Sequence, residues 1–287
     1  MKLQPRPSRR LLLLAGLLPF VLARWLTAQN SPAPQPAPAE SPIRQSAAEP
    51  AISYSAVHVD KPFIAMSFDD GPSDKLTPEL LDILARHHIH ATFFVIGQNV
   101  VQHPEILQRA VREGHEIGNH SWTHPAFAKM RDDAVRDQLQ KTDDAIRTAI
   151  GRRPVLMRPP YGSITARQKR WINSEFGYRT ILWDVDPLDW KRPGPAVVTR
   201  RIVRATRPGS IILSHDIHPG TIKAMPETFD QLQAKGFKFV TVSELIAMGK
   251  PMPPQESDAE GQTLRPSAGA SPAMTPSVSP RSGLTSP

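Results

Sequence analysis

Two adjacent carboxylates, Asp69 and Asp70, follow the apolar run Phe63-Ile64-Ala65-Met66 and precede Gly71-Pro72. A short apolar run of this kind reads as a buried strand, and Gly-Pro as the turn that ends it. Neighbouring strand residues point to opposite faces, but a turn redirects the second acid, so two carboxylates with different tasks can meet in one place. Left alone they repel and one takes up a proton; a metal ion and a guanidinium beside them would hold both charged. The same residues also describe an ordinary solvated turn, so partners elsewhere in the chain decide.

Such partners exist. His120 and His124 lie four apart in a segment of small polar residues. With Asp70 they would supply three protein ligands and leave positions for water and substrate, the layout of a catalytic divalent-metal site. The pair alone equally fits surface or core histidines. Ser121 stands where H-E-x-x-H metalloproteases carry their glutamate. The base must therefore come from elsewhere, and Asp69 is the candidate. Arg158 precedes Pro159-Pro160, which lack N–H groups, so the next donor is Tyr161, whose N–H could face a developing oxyanion. A structural Pro-Pro turn is the alternative. His215 could act as a general acid if a carboxylate such as Asp189 holds it protonated and oriented. By contrast, His87, His88 and His90 read as a surface cluster, and Asp132-Asp133 and Asp143-Asp144 as solvated helix positions.

Positioning these groups requires alternating strands and helices, and the pattern supplies them. Thr77-Pro78 reads as an N-cap with Pro in the first helical position, with Leu80, Leu81 and Leu84 following at helical spacing. Strand 91–96 closes at Gly97, Pro104 opens a helix that Gly114 ends, and a short strand covers 116–118. The longest helix spans 132–150, with Val135, Leu139, Ile146 and Ile150 on its buried stripe. Strands follow at 155–157, 179–183, 210–214 and 237–240, with helices at 165–175, 195–206 and 225–235. Thr241 to Glu244 forms a capping box. Repeated strand-helix units imply a mostly parallel sheet, either a barrel or an open doubly wound sheet. The candidate residues each fall just past a different strand, which favours a barrel with its site on the C-terminal rim.

The 287-residue chain carries one such unit, residues 56–250. Residues 1–29 join basic Lys2, Arg6, Arg9 and Arg10 to the apolar run Leu11 to Ala23, the layout of an export signal, or of a membrane anchor if it stays uncleaved. Residues 30–55 form a Pro/Ala-rich linker and 251–287 a similar tail, neither able to bury a core. The expected location is the periplasm or cell envelope, with anchoring to the inner membrane through the N-terminal segment. There are no cysteines, so no disulfide, lipoprotein modification or thiolate metal site is available. The formal charge is +8, of which residues 1–29 carry +5. The moderately basic core suits an anionic surface, and no interleaved aromatic-basic stripe points to nucleic acid.

Ser67-Phe68-Asp69-Asp70-Gly71-Pro72, His120-Ser-Trp-Thr-His124, Arg158-Pro-Pro-Tyr161, Asp186-Pro-Leu-Asp189-Trp190 and Ile212-Leu213-Ser214-His215 together resemble the ordered motifs of polysaccharide deacetylases with the NodB homology domain, carbohydrate esterase family 4. The resemblance covers Phe63 to Met248 and implies an α/β fold, a distorted (β/α) barrel with fewer than eight regular units. It implies Asp69 as base held by Arg158, and Asp70, His120 and His124 as ligands of Zn2+ or of Co2+, Ni2+ or Mn2+. It further implies the Tyr161 N–H as oxyanion donor and His215 as acid tuned by Asp189. Trp190 and Leu213 would form an apolar slot for the acetyl methyl; Asp186 receives no role. Ser67 replaces the family's usual Thr, a change expected not to touch the chemistry. The implied reaction removes N-acetyl groups from a hexosamine polymer and releases acetate. The segment His215-Asp216-Ile217-His218-Pro219 is similar to that of peptidoglycan N-acetylglucosamine deacetylases. Chitin oligosaccharide, exopolysaccharide and xylan are the alternative substrates, and a non-catalytic wall-binding protein or a small-amide hydrolase the alternative classes. Oligomeric state is not legible.

Overall fold

The computed structural model describes residues 51–250. The N-terminal segment, most of the linker and the tail lie outside them, as do the expectations attached to those stretches. Among the described residues no helix is long and apolar enough to cross a membrane.

The elements in chain order are β1 (Ser53–Tyr54), β2 (Phe63–Asp69), α1 (Leu76–Arg86), β3 (Thr92–Val95), α2 (Gly97–Gln102), α3 (Pro104–Arg112), β4 (Glu116–Asn119) and α4 (Asp132–Ile150). There follow β5 (Leu156–Met157), α5 (Ala166–Phe176), β6 (Arg179–Ile181), α6 (Pro195–Ala205), β7 (Ile211–His215), α7 (Pro219–Ala234), β8 (Lys238–Phe239) and α8 (Val242–Ala247). All the named strands pair in parallel, in the order β1-β6-β5-β4-β3-β2-β7, with β8 beside the start of β2. Past β6 the chain turns back onto β7 through a parallel bridge, Val185 to Ile212, where Leu213 N–H donates to the Val185 carbonyl at 2.9 Å. That bridge joins the two ends of the path from β6 to β7 and closes a distorted (β/α) barrel.

Alternation along β2 sorts its side chains into two environments. Ile64, Met66 and Phe68 face outward into a core shared with Leu80 and Leu84 of α1, Ile202 of α6 and Phe229 of α7. Ala65 faces inward with Phe94, Leu156, Ile181 and Ile211, closed by Val242 and Leu245 of α8. The α8 end of the barrel is the strand-start end, because Val242 N–H donates to Thr92 Oγ1 and Ser243 N–H to Glu116 Oε2. Burial of each such aliphatic side chain contributes roughly 1.5–3 kcal/mol. Climbing the interior, β2 runs Ala65, Ser67, Asp69 and its neighbour β7 runs Ile211, Leu213, His215, in paired register. The interior is apolar below and polar at the C-terminal rim.

Several local readings are corrected. Thr77 does not cap α1: the helix begins at Leu76 after Lys75, and the buried Thr77 hydroxyl accepts from Ser73 N–H and donates to Asp216. Gly97 opens the short helix α2, and it is glycine because a Cβ there would lie 2.4 Å from the Trp122 ring. The α7 helix begins at Pro219 and carries Pro226 internally, tolerated because Ile222, Met225, Phe229 and Leu232 are buried on one face. The sheet takes in Ser53–Tyr54, which composition placed in the linker, because Ile52 and Tyr54 carbonyls accept from Thr180 and Leu182. Asp143 is buried, not solvated: Tyr178 Oη and Asn119 Nδ2 both donate to its Oδ1.

Candidate metal centre and catalytic site

The C-terminal ends of β2, β4, β5 and β7 and the loop after β6 deliver the sequence-predicted residues to one rim. Asp69 is the last residue of β2, and Asp70 enters the left-handed region at φ 78°, which turns its carboxylate back toward the barrel mouth. Ser121 (φ 70°), His124 (63°), Tyr161 (60°), Leu188 (55°) and Arg192 (53°) share this conformation, all in rim loops. Each costs a non-glycine residue of order 1–3 kcal/mol, and such positions concentrate where geometry serves a site.

Asp70, His120 and His124 offer ligand atoms within 4.8 Å of one another. Asp70 Oδ1 lies 3.4 Å from His120 Nε2 and 3.3 Å from His124 Nε2. It is buried and has no hydrogen-bond partner. His120 Nδ1 lies 2.7 Å from the Arg158 carbonyl, an acceptor only, so that nitrogen carries a proton, and in the neutral ring Nε2 is the lone pair that faces Asp70. In that form lone pairs converge on one point, which a proton or a metal ion between them would relieve. Burial pushes Asp70 upward, but the His120 and His124 imidazoles outweigh it and hold its carboxyl far below the usual range. Burial and the neighbouring His120 pull His124 down to about 4, leaving its Nε2 available as a ligand at neutral pH. Burial works against charge on His120, yet the Asp69 and Asp70 carboxylates drive it upward, the sign of a field that demands a cation. Two nitrogen donors, one carboxylate oxygen and a second-sphere bond to His120 fit a divalent transition metal.

Around this point stand two further pairs. Arg158, wholly buried above the Phe94 ring at 4.1 Å, donates through Nη1 to Asp69 Oδ1 at 2.7 Å and to Ser67 Oγ at 2.9 Å. Its Nε and Nη2 donate to the Ile181 and Leu182 carbonyls. Asp69 Oδ1 is therefore engaged, while Oδ2 sits 3.6 Å from His120 Nε2, facing the metal position. Across the β2–β7 register, His215 pairs with Asp69. His215 Nδ1 bonds Asp189 Oδ1 at 2.8 Å, and its N–H donates to Asp189 Oδ2. Burial pulls His215 down, but the hydrogen bond and charge of Asp189, reinforced by Asp69 and Asp70, push it up to about 9.

The Tyr161 N–H finds no acceptor among the described residues, and its exposed ring stands edge-on to His124 at 4.4 Å. Leu213 faces inward between Ile211 and His215, and is buried outside all three apolar core clusters. Trp190 follows Asp189, to which its N–H donates at 3.0 Å. Asp186 is exposed and caps its own turn by accepting from Leu188 N–H.

Sequence reasoning missed three supports. Ser67 braces the base side through the hydroxyl it shares with the threonine it replaces, which accepts from Arg158 and donates to the Ile212 carbonyl. Thr221 Oγ1 donates to Asp189 Oδ2 at 2.7 Å from 32 positions away, a partnership no local pattern signals. Asn119 ends β4 by accepting from Ser121 N–H, and Ser121 Oγ accepts from His124 N–H, a chain that shapes the loop bearing both imidazoles.

Residues 56–181 match the family model described as polysaccharide deacetylase. The chain is 41% identical over 182 residues to the peptidoglycan-N-acetylglucosamine deacetylase PgdA of Listeria monocytogenes, an alignment covering 63% of this chain and 38% of the relative's length. Among solved structures, the Bc1960 peptidoglycan N-acetylglucosamine deacetylase matches with a TM-score of 0.67 at 35% identity, covering 70% of this chain and 95% of that one. BA3943 from Bacillus anthracis, described as a CE4 family pseudoenzyme, matches with a TM-score of 0.65 at 33% identity, over 69% and 70% of the two chains. From the family model, these likenesses and the barrel they share, the chain belongs to the polysaccharide deacetylase family.

Proposed function

We propose that this protein hydrolyses N-acetyl groups on N-acetylglucosamine residues of a cell-wall polysaccharide, peptidoglycan, and releases acetate. The observation that carries the reading is the buried, unpartnered Asp70 Oδ1 set between two imidazole Nε2 atoms, beside an arginine-held Asp69 and opposite an Asp189-held His215. Asp70, His120 and His124 would hold the metal, zinc by the chemistry of the donor set. When bound it supplies Lewis acidity toward the acetyl carbonyl and a more acidic water. Asp69 takes the proton of the attacking water through its free Oδ2. The Tyr161 N–H donates to the oxygen that gains charge as the carbonyl is attacked. His215, tied at Nδ1, delivers a proton from its other ring nitrogen to the departing amine. Trp190 and Leu213 exclude water around the acetyl methyl. Two of the relatives above are described as acting on peptidoglycan N-acetylglucosamine, which supports this substrate over chitin oligosaccharide, exopolysaccharide or xylan. The N-terminal segment supports work in the cell envelope.

A second reading, a wall-binding protein without turnover, draws on the fold shared with a described pseudoenzyme. The full set of metal-binding and proton-transfer residues counts against it. Acetate release from peptidoglycan and from chitin oligosaccharides decides, using metal-stripped and zinc-restored protein with an Asp69→Asn control. Zinc-dependent release from peptidoglycan alone, absent in the control, is the expected result. Release from chitin alone replaces the substrate, and release from neither with metal bound returns the binding-protein reading.

A further inference from the structure

Asp216 follows His215 at the end of β7 and is completely buried. Its Oδ2 accepts from Thr77 Oγ1 at 2.5 Å, and Thr77 Oγ1 in turn accepts from Ser73 N–H at 2.7 Å. The carboxyl lies flat against the turn that carries Asp69 and Asp70: a Cβ on Gly71 would fall 2.3 Å and 2.6 Å from its two oxygens. Asp216 Oδ1 has no partner. Beside the carboxyl is a void of about 10 Å³ walled by Pro72, Phe93, Val95 and Leu107, too small and too apolar for a hydrated cation.

We propose that Asp216 is a positioning residue that clamps the proton-donor strand end to the metal and base turn, fixing the distance from His215 to Asp69 and Asp70. The inference rests on the roles assigned to those three residues above. The clamp runs from Ser73 N–H through the Thr77 hydroxyl to the Asp216 carboxyl, and from there along one residue of backbone to His215. It joins two segments 139 positions apart that must stay in register while a proton is removed on one side of the scissile bond and delivered on the other. The clamp works by shape and a single acceptor, a contact that the carboxyl makes whether or not it is charged. A carboxylate with one hydroxyl donor in an apolar pocket would be poorly compensated. Burial, opposed by the Thr77 hydrogen bond and reinforced by the Asp70 charge, accordingly pushes Asp216 up to about 7. The flush contact also explains Gly71, whose replacement by any larger residue would push the two arms apart.

The test compares Asp216→Asn, Asp216→Leu, Thr77→Val and Thr77→Ser in the full zinc-loaded chain. Acetate release is normalised to bound metal, and folding is checked by circular dichroism. Asn keeps the acceptor and the shape, so kcat within about twofold and an unmoved pH profile are expected. Leu is expected to lower kcat roughly 10²-fold with KM unchanged, the scale of a misplaced reacting group. Thr77→Val should lower kcat about tenfold, and Thr77→Ser should restore it. Should the Leu protein fail to fold, the Val and Ser pair decides alone. A folded Val variant with wild-type kcat overturns the proposal, as does an Asn variant that is as impaired as Leu or has a shifted pH profile. A wild-type protein with metal bound and no acetate release sinks the deacetylase reading instead.

Discussion

Two buried polar clusters flank the end of β4, and they are built on opposite rules. On the outer side Asn119, Asp143 and Tyr178 bond one another and the Leu139 carbonyl, and none of their buried atoms lacks a partner. On the inner side, one residue further along, His120 faces Asp70, whose Oδ1 is buried with none. Burying a polar atom without a partner costs about 1–3 kcal/mol, and the fold bears that cost in one cluster and avoids it in the other. A saturated cluster braces the chain; an open one is held ready for something the protein does not itself supply.

The largest expected effect separates the two. Removing metal with a chelator, or changing Asp70 to Asn, should take acetate release to background, with zinc restoring only the unmutated protein. Melting of the metal-free protein should move little on Asp70→Asn. A large loss of stability there would make Asp70 a brace and erase the distinction. Next, Asp69→Asn should lower kcat about 10²–10⁴-fold, the usual worth of a positioned acid or base, while metal content stays whole.

The acid side sharpens the comparison through pH. His215 is raised to about 9, so it is protonated and competent below that value and loses its proton as pH rises through it. Turnover should fall as His215 loses its proton, at a pH that the charge of the bound metal sets below the metal-free value, and a limb that stays in place on Asp189→Asn would detach His215 from Asp189. Thr221→Val removes one of the donors to Asp189 and should cost about tenfold in kcat, near 1.4 kcal/mol, with the limb shifted. Smallest in activity is Tyr178→Phe on the saturated side. It should cost about 1–3 kcal/mol of stability, with turnover at low temperature nearly unchanged. A strong loss of turnover in a stable Tyr178→Phe protein would mean the outer cluster is part of the site.

Much of this was legible because certain residues announce their surroundings. Proline and glycine marked the α3 and α4 boundaries, and the Thr241 to Glu244 capping box forms as expected. Each chemically active pair sits at a strand end, where an apolar run meets a polar one. Illegible were the partners that owe their roles to long-range contact. Thr77 looked like a helix cap because capping is the commonest local use of that residue, and tertiary packing gave its hydroxyl to Asp216. Asp143 looked solvated because a helical position shows its spacing but not which neighbour covers it.

Taken by itself, the sequence determined the alternation of strands and helices, the parallel sheet and the set of residues on the rim. These follow from residue type, short-range periodicity and order along the chain. Only the tertiary structure decided which oxygen of each carboxylate is engaged, that Asp70 Oδ1 is left open, and that Ser67 bonds Arg158, Thr221 bonds Asp189 and Asp216 bonds Thr77. The reason is physical: a hydrogen bond is set by distances of a few ångströms between atoms that the sequence separates, for Thr77 and Asp216, by 139 positions, and closure of the barrel brings them together.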